Sequence, residues 1–143
     1  MKKVKLPLTV LIVLILSFEA ISSKNSKPFQ TTPWVTPASA SIIKNPLAGN
    51  TTAAPAGKIL YVKYCVVCHG NTGKGDGVAA PALAIPPADH SSVKVQSETD
   101  GSLFWKITTG KGAMASYKST LTDQQRWQLV SYIRTLAAVK KTK

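Results

Sequence analysis

The chain has 143 residues, 44% of them hydrophobic, and 18 Lys and Arg against 6 Asp and Glu give it a formal charge of +12. That length supports one small domain rather than several. The surplus of positive charge suits anionic lipid or an acidic protein, and the export signal at the start of the chain sets nucleic acid aside.

Residues 1–22 carry the three parts of a secretory signal. Lys2, Lys3 and Lys5 form a positive start, Leu6 to Phe18 an apolar run of 13 residues, and Ala20-Ile21-Ser22 a small-residue cleavage site. A membrane-spanning helix needs about 20 apolar residues, and Pro7 and Glu19 bracket fewer. The expectation is therefore cleavage rather than a retained anchor, and a periplasmic or exported protein, membrane-associated should the segment be kept. Removal of this segment takes the charge to +10, since it holds three lysines and one glutamate.

Residues 23–56 are rich in Pro, Ala, Ser and Thr, and Pro28, Pro33, Pro37, Pro46 and Pro55 prevent a long helix. The composition is that of a spacer. Trp34, Ile42, Ile43 and Leu47 are more apolar than a solvated linker requires, so part of 34–47 is expected to lie against the domain. Asn50-Thr51-Thr52 fits a glycosylation sequon, a pattern common by chance.

A domain over 57–143 follows. Gly57 to Cys65 has helical spacing, with Ile59 and Val62 on one face and Leu60, Tyr61 and Tyr64 on the adjacent one. The glycine at Gly70 suits a helix end. The stretch GNTGKGDG, 70–77, is a loop with four glycines that lacks the GKS or GKT ending of a nucleotide phosphate loop. Pro81, Pro86 and Pro87 keep 78–90 irregular. A short helix is predicted at about 99–109 from Leu103, Phe104 and Ile107, then a loop over 110–115. The last helix starts at Thr122, with Asp123 in its first turn and Gln125 completing a capping box. Trp127, Val130, Ile133 and Ala137 recur along it, flanked by Leu129, Tyr132 and Leu136, and Lys140, Lys141 and Lys143 suit its C-terminus. No strand and no repeat is evident. Short helices between Gly- and Pro-rich loops form a thin core, which a large apolar prosthetic group would complete.

Both cysteines lie in YCVVCHGN, residues 64–71. A disulfide between Cys65 and Cys68 would close a loop too short to constrain the unfolded chain much. A thiol-exchange pair would follow a strand, not a helix. Zinc would draw on Cys65, Cys68, His69 and His90, with no second paired set. C-x-x-C-H is also the attachment signature of c-type haem. Two thiols one helical turn apart can each add to a vinyl group, and the next imidazole then faces the iron. An iron that only passes electrons needs a second axial ligand. Met114 is the one methionine after the signal, in a glycine-bounded loop 45 residues beyond His69. Met/His ligation raises the potential, whereas the rival, His90, would give a bis-histidine site.

In combination, CVVCH, GNTGKGDG, LFWKITTG, Met114 and RWQLVSYIRTL resemble a class I cytochrome c of the small bacterial monohaem type, over 57–143. The resemblance implies an all-α, cytochrome c-like fold of three to five short helices around one covalently attached haem c. It implies a crossing of the first and last helices, with Gly57 and Tyr61 against Leu129 and Tyr132. It implies that the Pro81 carbonyl receives the proximal imidazole and that Trp105 lies along the haem. Relatives often place proline after the ligand methionine, where this chain has Ala115.

The implied function is an exported electron carrier, not an enzyme, between a respiratory or dehydrogenase donor and an oxidase or reductase acceptor. Lys63, Lys74, Lys111 and Lys118 would steer it to redox partners with acidic docking surfaces. Two alternatives stand beside this: a haem subunit fixed in a larger membrane redox complex, docked by 24–56, and a peroxidase-like or sensor protein should Met114 leave the iron.

Overall fold

The computed structural model describes residues 33–137. The signal, Pro28 and the lysines at 140, 141 and 143 lie outside them. Among the described residues six α-helices occur in the order α1 Ala38–Ser41, α2 Ala53–Tyr64, α3 Val66–His69, α4 Val93–Gln96, α5 Asp100–Thr109 and α6 Asp123–Thr135, with a 3-10 turn at Ala80–Ala82. The fold is all-α as expected. The helices outnumber the expected three to five because the CVVCH helix is interrupted at Cys65 and two others are single turns. Among the described residues the extended pairing is limited to one isolated bridge, Lys111 with Met114.

α2 starts at Ala53, four residues before the expected boundary at 57. Pro55 is tolerated in its first turn because the missing N–H has no intrahelical partner there. The buried stripe of α2 is Ala53, Gly57 and Tyr61, and it lies across α6. A Cβ on Gly57 would be driven into the backbone carbonyl of Gln128 and would stand 3.0 Å from the Tyr132 Cβ. Tyr61, fully buried, meets Tyr132 edge-on at 5.0 Å between ring centroids. The other stripe faces solvent: Ile59 is 73% and Val62 57% exposed.

α5 and α6 complete the core. Thr99 caps α5 by accepting from Ser102 N. Thr122 caps α6 in the expected box, with Gln125 N donating to Thr122 Oγ1 at 3.2 Å and Thr122 N to Gln125 Oε1 at 2.9 Å. Phe104 stacks on Trp127 at 4.0 Å. Leu103, Ile107, Leu129, Val130 and Ile133 fill the space around them. Arg126 is buried among these groups, and its Nη1 donates to the carbonyls of Tyr117, Lys118 and Leu121. It therefore satisfies the turn that leads into α6, and it also pairs with Asp123. Arg134 does the same for the α4–α5 connection, donating to the carbonyls of Gln96 and Glu98 and to Asp100 Oδ1 at 2.7 Å.

The 34–47 stretch lies against the domain. Trp34 meets Trp105 edge-on at 6.3 Å, and the Lys106 ammonium sits over Trp34 while pairing with Glu98 at 2.6 Å. Ala40 is buried, and Gly101 of α5 lets the Ala40 and Ile43 carbonyls approach the helix backbone. Asn45 Nδ2 donates to Asp100 Oδ2 at 3.1 Å, and Leu47 packs on the core.

Two glycine substitutions test these approaches. Gly57→Ala should cost about 2 kcal/mol or more in denaturant unfolding, as overpacking forces α2 from α6. Gly101→Ala should leave global stability nearly unchanged, since the gain in helix propensity of about 1 kcal/mol offsets part of the strain. It should instead raise protease cleavage within 33–47.

Candidate haem-binding site

Cys65 sits at the joint of α2 and α3. Its N–H donates to Tyr61 O at 2.8 Å, and its own carbonyl receives Cys68 N at 3.2 Å and His69 N at 2.8 Å. The three side chains are thus one helical turn apart and share a face. All are half-buried, and both thiols are free. Burial, and then the neighbouring Cys68, pushes the Cys65 thiol up to about 12, so it is held neutral.

The glycine loop closes the helix end. The last four carbonyls of α3 would be orphaned, yet each is satisfied. Gly70 N donates to Val66 O, Ala79 N to Val67 O, Gly77 N to Cys68 O and Gly75 N to His69 O, at 2.9 to 3.0 Å. Gly70, Gly73 and Gly75 have φ of 74°, 75° and 76°, a region open to glycine at little cost. Bare backbone at Gly75 also admits the Pro87 carbonyl, which a Cβ would strike.

This approach sets the environment of the imidazole. His69 Nδ1 lies 3.0 Å from the carbonyl oxygen of Ala88. The resemblance points to the Pro81 carbonyl as acceptor; in this structure the carbonyl at Nδ1 is that of Ala88. Pro81 is exposed within the Ala80–Ala82 turn, whereas Pro86-Pro87 lead into Ala88 with the Pro87 carbonyl set against Gly75 of the loop. With Nδ1–H donated to Ala88, Nε2 is the nitrogen left to take a metal. Burial lowers the His69 pKa, against the Ala88 hydrogen bond, which raises it.

His90 lies on the same side. Its ring stacks on His69 at 4.0 Å between centroids, with 17° between planes. His90, the expected rival to Met114 as second ligand, thus lies face to face with His69. Burial, and then His69, pushes His90 down to about 3, which keeps it neutral. Asp89 acts in the opposite sense.

Met114 occupies the 110–115 loop. Lys111 N donates to Met114 O at 2.9 Å and Met114 N to Lys111 O at 3.0 Å, and the side chain is half-buried against the core. Tyr117, absent from the sequence expectations, ties this loop to the cysteine helix. Its O–H donates to Tyr64 O at 3.0 Å, and the two rings meet edge-on at 5.9 Å. Burial, then Cys65 and Cys68, raises its pKa. No pattern marks Tyr117 in the sequence beyond an aromatic near a methionine. Trp105 is half-buried, with Trp34 as its ring partner.

A family model described as cytochrome c oxidase, cbb3-type, subunit III matches residues 52–133, more than half of the chain. The chain belongs to this c-type cytochrome family. It is 34% identical over 102 residues to the cytochrome c subunit of alcohol dehydrogenase (quinone) from Gluconacetobacter polyoxogenes and, equally, to that from Komagataeibacter europaeus. That match covers 64% of this chain and 20% of each relative, so the chain spans about a fifth of the length of these curated proteins. Among solved structures it resembles a Kuenenia stuttgartiensis reducing HAO-like protein complex, with a TM-score of 0.58, 24% identity, and 77% of this chain and 53% of that chain covered. It also resembles the KustC0563 c-type cytochrome, with a TM-score of 0.51, 24% identity, and coverage of 57% and 98%. At that identity the two structures speak for the fold alone.

The family implies haem c, and the donor set of this c-type cytochrome fits it: two free thiols at i and i+3, with an imidazole at i+4 whose Nδ1 is already engaged. Zinc fits less well, since no group of three or more His, Cys, Asp or Glu among the described residues is arranged to hold a metal ion. Tyr117→Phe removes the tie to Tyr64 and should cost about 1 kcal/mol in denaturant unfolding. Hydrogen exchange in 110–118 should accelerate more than elsewhere.

Proposed function

We propose that the chain is an exported monohaem electron carrier, with haem c attached through Cys65 and Cys68, His69 as proximal ligand and Met114 as the second. The observation that carries this reading is the His69 imidazole, fixed by Ala88 through Nδ1 one turn from two free thiols. When bound, the haem supplies a one-electron couple between ferric and ferrous iron.

The chain's own residues hold, orient and shield. The Ala88 carbonyl fixes the tautomer and raises the basicity of Nε2. Tyr117 and the Lys111–Met114 pairing hold the methionine loop near the cysteine helix. Two protein ligands leave no position for substrate, which supports a carrier over a peroxidase-like or sensor role. Trp105 is the aromatic assigned to the haem flank, with Trp34 against it edge-on.

The net charge of +12 supports redox partners with acidic docking surfaces. Lys63, Lys111 and Lys118 are exposed. Lys74 is exposed as well and donates to Ser91 Oγ at 2.6 Å. Periplasmic residence rests on the signal-like start of the chain. Among the described residues no helix is long and apolar enough to cross a membrane. The second reading, a subunit fixed in a membrane redox complex, is favoured by the relatives named as cytochrome c subunits of a quinone alcohol dehydrogenase. In that case the donor would be a dehydrogenase. Residues 34–47 would not be its docking arm, because they pack on the domain itself.

The purified mature protein should carry the mass of one covalent haem and titrate as a single one-electron couple. Met114→Ala should lose the near-infrared methionine–iron band and keep its haem. Cys65→Ala and Cys68→Ala should each impair attachment, read by mass spectrometry and by loss of bound colour after acid–acetone extraction.

A further inference from the structure

His90 is built into the domain more firmly than a filler requires. Its N–H donates to Gly73 O at 2.6 Å. Its carbonyl receives Gln96 Nε2 at 2.6 Å, and the same nitrogen reaches Ile133 O of α6 at 2.9 Å. Its Nδ1 shares a hydrogen bond of 3.1 Å with the hydroxyl of Tyr61, whose ring also meets it edge-on at 5.7 Å. Tyr61 is in turn locked against Tyr132 at the helix crossing. The backbone of His90 is therefore held at both its N–H and its carbonyl, its ring is held by Tyr61, and its flat face lies on His69.

The hydrogen bond from His69 Nδ1 to Ala88 fixes one direction in the imidazole plane. For rotation about a bond at Nε2, that contact restrains the ring through one atom only, the Ala88 oxygen. A flat surface stacked on the ring adds a restraint across its whole face. Ala88 and His90 are two residues apart on one segment, so a single stretch of backbone supplies both the acceptor and the stacking face.

The geometry points to His90 as a positioning residue that sets the rotation of the His69 imidazole plane about its bond to iron. This rests on the reading of His69 as the proximal ligand. The plane angle of an axial imidazole governs how unpaired spin spreads over the porphyrin in the ferric state. Tyr61 extends the constraint back to the crossing of α2 and α6.

The test uses the full, haem-loaded chain. The order and spread of the haem methyl signals in proton NMR of the ferric protein report the imidazole plane. His90→Ala, which removes the stacking face, should reorder or broaden those signals and shift the midpoint potential. His90→Phe, which restores a flat face without a ring nitrogen, should return the methyl order to that of the parent. His90→Leu, which fills the volume without a flat face, should behave like His90→Ala and decides the matter if His90→Ala does not accumulate. The near-infrared methionine band is followed throughout, so that loss of Met114 is told apart from rotation of His69. Parental methyl order in His90→Ala or His90→Leu overturns the proposal, as does failure of His90→Phe to restore it. A parent protein without covalent haem would instead overturn the haem reading itself, and this inference with it.

Discussion

The crossing of α2 and α6 at Gly57 is the constraint on which the rest of the domain depends. A helix whose backbone touches the Gln128 carbonyl cannot carry a side chain there. The missing Cβ brings the axes close enough for Tyr61 to bury completely against Tyr132. Tyr61 is then placed to serve two masters: its carbonyl receives Cys65 N, which carries α2 into the cysteine turn, and its hydroxyl reaches His90. Dispersion and burial at one crossing thus fix both the helix that bears the thiols and the segment that backs the imidazole. Burial also raises the Tyr61 pKa, so the hydroxyl stays protonated as a hydrogen-bonding group.

The glycine loop supplies a second kind of order, through hydrogen bonds rather than burial. A helix that ends at a functional histidine must dispose of its last carbonyls without long side chains crowding the ligand. Residues 70–79 do this with backbone N–H groups alone. Positive φ at Gly70, Gly73 and Gly75 folds the loop back, and the absence of a Cβ at Gly75 admits the Pro87 carbonyl. Asp89 then turns the chain, accepting from Ser91 N and Ser91 Oγ at 2.8 and 2.6 Å. The prolines suit this stretch, since 86–89 form no helix and present the Ala88 carbonyl and the His90 ring to the same partner.

Local chemistry was legible in the sequence where it acts over short range. The capping box at Thr122 and Gln125 is a relation over three residues, and it forms as expected. The same holds for the spacing of Cys65, Cys68 and His69. Gly57 was legible through family resemblance, because no local rule says which glycine marks a helix crossing. The choice between stripes on α2 was not legible, since Ile59 and Val62 are as apolar as the buried positions. Ala88 was hidden for a different reason: a backbone carbonyl has no side-chain signature, and proline at 81, 86 or 87 offers three ways to stiffen the approach. His90 showed itself as an imidazole, but nothing in the sequence marks it as a ring stacked on His69.

The compact unit takes in residues upstream of 57 for a physical reason that bears on how the domain is built. Proline and small residues lower the helix content of 34–47 without lowering its capacity to pack. Ordering such a segment costs roughly 1–2 kcal/mol per residue in backbone entropy, less where proline already restricts the chain. The attachment must offset that cost through a few well-formed contacts. Ala40 buries against bare backbone at Gly101, Asn45 bridges to Asp100, and Asp100 is itself held by Arg134. Trp34 joins Trp105 and the Lys106–Glu98 pair. Each anchor falls on α5 or on the residues that α5 ties to α6. The stretch therefore acts as an additional layer over α5 rather than a tether, and the compact unit begins upstream of the first long helix, with Pro33.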